Sequence, residues 1–238
     1  MARREARLAS LATELQHQFH VNAEILVADL STSAGIERVE KRMAQLETLD
    51  MLINNAGFGV PGEFSEVLLD RSLAMIQLAM LTTARLSRGA LPGMIATGRG
   101  VIINMSSIGT FIPRSCDAVY CATKAYLNAF SEALQGELRG SGVQVQALCP
   151  GFVATDFLDH PEYEVLHVKA RIPKWLWTPL EDVIEASLQS LKRGQVICVP
   201  GFKNRAIVVA AESGLSGFLR KTLVGCLRQE TRLPVGPR

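Results

Sequence analysis

GVIINM (100–105), VYCATKAYLNAFSEALQGEL (119–138) and VQVQAL (143–148) decide the fold of this chain. The first and third stretches are short and apolar almost throughout. A strand carries such a run when both faces of its sheet are covered, as in a parallel sheet. The middle stretch is too long for a strand and repeats at helical spacing. It stops before Gly140 and Gly142, residues that end helices. Strand, long helix, strand is a βαβ unit with a right-handed crossover.

The same alternation extends outward in both directions. AEILVADL (23–30), LDMLI (49–53) and QVICV (195–199) read as further buried strands. Arg3 to Phe19, Leu68 to Ile95 and Glu181 to Lys192 read as helices. In the first, Leu8, Leu11, Ala12, Leu15 and Phe19 line one side. Pro179 and Gly194 bracket the last. No repeat and no low-complexity linker interrupts the chain. The expectation is a single α/β domain over residues 1–238, with a doubly wound, mainly parallel sheet.

Composition narrows the function classes. The 238 residues carry a formal net charge of +2, and the basic residues are interspersed with acids, which argues against a nucleic-acid surface. No apolar run reaches the 18 or so residues of a membrane-spanning helix. Five cysteines without a C-x-x-C pair read as reduced thiols of a cytoplasmic protein. His17 and His20 could share a helix face, but no third ligand lies nearby, so no metal site is expected. The basic start, MARREARL, lacks the apolar core of a signal peptide.

In a doubly wound sheet, ligands gather at the carboxyl ends of the strands. The residues that follow the strands here are Asp29, Asn54-Asn55-Ala56-Gly57, Ser106-Ser107 and Pro150-Gly151. Each is also an ordinary turn former. Tyr120 and Lys124 lie one helical turn apart and share a face. A solvated Tyr-Lys pair is the common reading of such spacing. The chemical one is that the ammonium favours the phenolate, so that the tyrosine can exchange a proton with a substrate oxygen. Ser107, thirteen positions earlier at a strand end, could hold a substrate carbonyl beside that phenol.

Together these elements resemble the short-chain dehydrogenase/reductase family. The matching motifs are NNAG at 54–57, NMSS at 104–107, YCATK at 120–124 and PGFVAT at 150–155, in the family's order and spacing. The resemblance runs from Arg3 to about Gly201. It implies a Rossmann-like fold and hydride transfer between NAD(P)H and an alcohol/carbonyl pair, a small-molecule substrate. It implies Tyr120 as acid/base, Lys124 as the lysine that holds the nicotinamide ribose and lowers the tyrosine pKa, and Ser107 as the substrate-polarising hydroxyl. Asn54, Ala56 and Gly57 match the turn along the adenosine side of the cofactor. Asp29 and Leu30 match its adenine contact. Pro150, Gly151, Val153 and Thr155 match the loop that fixes the carboxamide. Arg3, with Arg4, stands where a 2′-phosphate partner would, which favours NADP, with NAD as the alternative. The implied assembly is a homodimer or homotetramer built on the apolar helices Leu68–Ile95 and Val119–Leu138.

Two departures stand out. The family begins with a strand, a T-G-x-x-x-G-x-G turn, a helix and a second strand. This chain starts near the end of that second strand, so the first βαβ unit is largely missing and with it the pyrophosphate cradle. A start upstream of Met1 is the favoured explanation. A truncated, catalytically impaired chain acting through protein contacts is the alternative. Second, the family's asparagine in the long central helix, which holds a water of the proton relay, aligns with Ala79. Residues 156–178, with Trp175 and Trp177, match the substrate lid, and the tryptophans are read as capping the core. Residues 203–238 form a C-terminal extension with an amphipathic stretch whose ordinary role is packing.

Overall fold

The computed structural model describes residues 1–159, 163 and 168–213. The chain runs α1 (Glu5–Phe19), α2 (Ser33–Met43), β1 (Met51–Asn54), α3 (Leu69–Ile76), α4 (Thr82–Thr97), β2 (Gly100–Met105), α5 (Ala118–Glu137), β3 (Val143–Leu148), β4 (Phe152–Val153), β5 (Trp177–Thr178), α6 (Leu180–Lys192), β6 (Ile197–Cys198) and α7 (Phe202–Glu212). The main sheet is four-stranded and parallel throughout, in the order β1-β2-β3-β6. β4 and β5 form a separate two-stranded piece. No described helix is long and apolar enough to cross a membrane.

Alternation along β2 shows why both faces are buried. Ile102 points into a core built from Ile36 and Val39 of α2, Leu86 and Met94 of α4, Leu134 of α5, and Val143 and Val145 of β3. Ile103 points the other way, into a core with Leu148, Cys198, and Val183 and Leu191 of α6. Helices on both faces of a parallel sheet make this a doubly wound α/β fold. β2 and β3 match the expected strands residue for residue, whereas the strand expected at 195–199 narrows to Ile197–Cys198.

The stretch 23–30 departs from expectation. Among the described residues its only ladder contact is an isolated parallel bridge between Val27 and Ala2. It keeps its apolar side, since Ala28 and Leu30 enter the first core. Among the described residues nothing pairs with the free edge of β1, so 23–30 has no ladder to join there. On the same side of the sheet as Val101 and Ile103, out at the β1 edge, Ile53 is 52% exposed and Met51 41%. α1 likewise buries no residue fully, and Leu11 and Phe19 of its apolar side stay exposed.

One helix was not expected from the sequence. α2 starts at a Thr32 cap whose hydroxyl accepts the Gly35 N–H at 3.1 Å, and it buries Ile36 and Val39. α7 occupies residues that were read as the start of a C-terminal extension. Its Asn204 is buried, donating to the Pro200 carbonyl at 2.8 Å and the Thr178 hydroxyl at 3.3 Å. The rest of that extension, 214–238, lies outside the described residues. The long helix expected at 68–95 is α3 and α4 joined through a π-helical turn, Gln77–Leu81.

Candidate active site

α5 presents the central residues. Its cap residue is Asp117, and Tyr120 is its third residue, buried at 8% exposure. Ser107 lies two residues past the end of β2 and caps the short turn Ile108–Thr110, where its Oγ accepts the Gly109 N–H at 3.1 Å. The Ser107 hydroxyl acts on the Tyr120 hydroxyl as a hydrogen-bonding neighbour that favours the phenolate. One turn along α5, Lys124 Nζ lies 5.6 Å from the Tyr120 ring centre and donates to the Met105 carbonyl at 2.6 Å. A Cβ added at Gly57 would sit 3.7 Å from that Nζ, so the turn after β1 closes on the same lysine. The structure therefore brings Ser107, Tyr120, Lys124 and Gly57 to one place.

Electrostatics here are governed by burial. Burial pushes the Tyr120 hydroxyl above the usual tyrosine range, opposed by the hydrogen bond to Ser107 and by the Arg114 charge. The sequence had suggested that Lys124 lowers this value; here the burial of the phenol outweighs every favourable neighbour. Burial also brings Lys124 down to about 8, against its ordinary 10.5. The Cys149 thiol behind it is pushed up to about 12 by the same cause. A lysine near 8 stands ready to take up or release a proton near neutrality.

A buried polar network under the site escaped the sequence reading. Asn54 at the end of β1 donates from Nδ2 to Asn104 Oδ1 of β2 at 2.8 Å and to Ser87 Oγ of α4 at 3.3 Å. Asn104 Nδ2 donates to Ser131 Oγ of α5 at 2.9 Å, and Ser131 donates to the Leu127 carbonyl at 2.7 Å. Ser106 Oγ donates to the Lys124 carbonyl at 3.0 Å, which ties β2 to α5. The available signal was an asparagine inside an otherwise apolar strand, a group that must find partners when buried.

The other expected residues form two further groups. Arg3 Nη1 lies 3.9 Å from Asp29 Oδ2, because the Ala2–Val27 bridge sets their chains side by side. The Asp29 carboxylate is held below its ordinary range first by Ser31, whose hydroxyl and N–H donate at 2.7 and 3.0 Å, with Arg3 adding less. The Leu30 carbonyl accepts from Thr82 at 2.8 Å. Arg4 and Arg7 both face Asp156. In the second group, the Pro150 carbonyl accepts the Ile108 N–H at 3.0 Å, beside Ser107. A Cβ at Gly151 would come within 2.5 Å of Asn204, so this glycine serves close packing against α7. Val153 pairs with Thr178 and packs on the second core. The Thr155 hydroxyl accepts the Phe157 N–H at 3.5 Å, and Ala56 is exposed.

Ala79 sits buried in the π-helical turn. Such turns recur at functional sites, yet position 79 itself supplies no side-chain amide; the one in this turn belongs to Gln77, two residues away. In the lid region, Trp175 is exposed, while Trp177 packs 6.2 Å from Phe152 and donates to the Ile172 carbonyl at 3.4 Å. Phe157 lies 6.1 Å from Tyr120 and covers it from the lid side.

These groups fit the two ends of a nicotinamide dinucleotide but not its middle. Lys124 has ammonium donors beyond its bond to Met105, next to an exposed Gly57 turn, which suits a ribose diol. Asp29 and Arg3 suit the adenosine end. The pyrophosphate is not matched: no glycine-rich turn opening a helix stands beside β1 among the described residues. No group of His, Cys, Asp and Glu among them could hold a metal ion.

Comparison with known proteins agrees with this geometry. The family model described as short chain dehydrogenase matches residues 1–163. A very-long-chain 3-oxoacyl-CoA reductase of Rattus norvegicus is 31% identical over 183 residues, covering 72% of this chain and 58% of the relative. An uncharacterized oxidoreductase, YmfI, of Bacillus subtilis is 35% identical over 151 residues, covering 63% of this chain and 62% of the relative. The chain thus spans about three fifths of the length of these curated relatives. A short-chain dehydrogenase from Sphingobium yanoikuyae, solved in complex with NADPH, superposes with a TM-score of 0.79 at 28% identity, covering all of this chain and 88% of that one. With a family model matched over more than half its length, the chain belongs to the short-chain dehydrogenase family.

Proposed function

We propose that this chain is the catalytic part of an NADP(H)-dependent oxidoreductase that interconverts an alcohol and a carbonyl, with Tyr120 as acid/base. The observation that carries this is the Ser107–Tyr120 hydroxyl pair with Lys124 one turn away. When bound, the cofactor supplies the hydride. Ser107 orients the carbonyl oxygen against the phenol, and Tyr120 gives that oxygen its proton in reduction and takes it back in oxidation. Lys124 holds the ribose and, near 8, can refill the phenol. Phe157, Phe58 and Val60 keep water from Tyr120.

NADP is favoured over NAD because Arg3 stands beside Asp29, and because a relative of this fold carries NADPH. The domain is taken as residues 1–238, with 156–178 over the substrate side. A homodimer or homotetramer is proposed from the exposed Leu69, Leu73 and Leu81 along α3 and the turn after it. A cytoplasmic location fits four cysteines that are free in the structure.

The test is Tyr120→Phe, which keeps the ring and removes the titrating group. NADPH-dependent carbonyl reduction should fall by roughly two to four orders of magnitude, with NADPH affinity little changed. Unimpaired reduction by the variant would overturn the assignment.

A further inference from the structure

We infer that the ion pair Arg114–Asp117, set just ahead of α5, is a positioning element for Tyr120: two opposed charges held at fixed places around its hydroxyl govern how readily the proton moves. The inference rests on the reading of Tyr120 as acid/base, and its test is chosen to be separable from that reading.

The geometry is unusual for a surface turn. Arg114 Nη2 meets Asp117 Oδ2 at 2.7 Å, with side-chain exposures of 27% and 11%. Asp117 also closes the first turn of α5, its carbonyl accepting the Cys121 N–H at 2.9 Å. Between the two partners Cys116 adopts the left-handed backbone, φ 64, although it is not glycine. The Gly62 N–H holds that residue's carbonyl at 2.8 Å. A strained turn is thus pinned in place so that arginine and aspartate can meet beside the tyrosine.

Stability alone does not account for the pair. Arg114 Nε and Asp117 Oδ1 are buried without a hydrogen-bond partner among the described residues. A buried pair with unmet donors and acceptors contributes little or nothing net to folding. Its charges do reach Tyr120. The groups around that phenol are Asp117, Cys121 and Lys124 from its own helix, Ser107 and Arg114 from the preceding segment, Met75 from α3, and Phe157 with Tyr163 behind it. Arg114 favours the phenolate there and Asp117 disfavours it, while Lys124 is engaged with the Met105 carbonyl. Because the two charges oppose one another, removing either one tips the balance the opposite way.

The chain has only three tyrosines, so the ring-carbon signals of labelled protein can be followed individually, with Tyr120→Phe identifying the one that matters. The readout is the Tyr120 phenolate fraction at one alkaline pH where the chain is folded, in wild type, Arg114→Met, Arg114→Lys and Asp117→Asn. Arg114→Met should lower the fraction and Asp117→Asn raise it, each by about threefold, and Arg114→Lys should stay within about twofold of wild type. A packing role would move both neutralised variants in the same direction, or neither, and either result overturns the inference. Should Arg114→Met fail to fold, Asp117→Asn decides alone: an unchanged or lowered fraction refutes it. The titration is read without turnover, so loss of activity in Tyr120→Phe and the outcome here stand or fall independently.

Discussion

Replacing Lys124 by methionine should make this protein more stable while abolishing its chemistry. The lysine is enclosed, and its ammonium has one hydrogen bond, to Met105 O at 2.6 Å. Burial brings it from 10.5 to about 8. At about 1.4 kcal/mol per pH unit, that interval means about 3 kcal/mol lost to burying the charge. Below pH 8 the lysine is protonated both folded and unfolded, so the folded state bears this penalty in full. Between 8 and 10.5 the folded chain releases the proton before the unfolded chain does. The unfolded state then binds more protons, and stability rises with pH. Methionine keeps the shape without the charge, but it leaves the Met105 carbonyl short of a partner, a loss of about 1 kcal/mol. The net gain near neutral pH is about 1–2 kcal/mol, or a Tm higher by about 2–8 °C. Thermal unfolding followed by circular dichroism at about pH 7 and about pH 10 measures it. The gap between variant and wild type should shrink at the higher pH. A variant less stable than wild type near pH 7, with a gap independent of pH, would refute the reasoning.

Two further outcomes follow from the same structure. Asn104→Ala removes the link between Asn54 and Ser131 and strands buried partners on β1 and α5, so it should lower unfolding free energy by about 2–3 kcal/mol in urea titration. Ala79→Asn places an amide in the π-helical turn; in a cofactor-binding form of the enzyme, kcat for NADPH-dependent reduction should rise, and an unchanged kcat would mean that the proton does not travel past that position.

What could be read from the sequence divides along physical lines. β2 and β3 were legible to the residue because both their faces are buried, and continuous apolar runs carry that information locally. The 23–30 stretch looked equally strand-like, but a strand also needs a partner edge, and a residue pattern is silent on what lies alongside. Tyr120, Lys124 and Ser107 could be singled out because four motifs in order resemble one family; the Tyr-Lys spacing alone reads as readily as a solvated pair. The network of Asn54, Asn104, Ser87 and Ser131 was not legible, since its members stand decades of residues apart and meet only once the sheet forms. Arg114 and Asp117 lie in a stretch, PRSCD, that reads as a plain turn until Cys116 is seen in its left-handed conformation.

The costly features of this molecule are not scattered. Lys124 is a buried ammonium, Arg114 and Asp117 are a buried pair with unmet atoms, and Cys116 is strained. The π-helical turn at Gln77–Leu81 follows directly on Met75, which packs against Tyr120, and that turn itself lies against α5. Each would be replaced by something more stable if folding were the only demand, and all of them converge on Tyr120. Elsewhere the structure obeys the ordinary rules: apolar strands under amphipathic helices, buried amides with partners. A chain that kept this architecture only for packing or docking would have no reason to hold four such costs around one phenol. Their convergence is what the proposed proton-transfer role of Tyr120 calls for, and the stability change in Lys124→Met would measure what that role costs the fold.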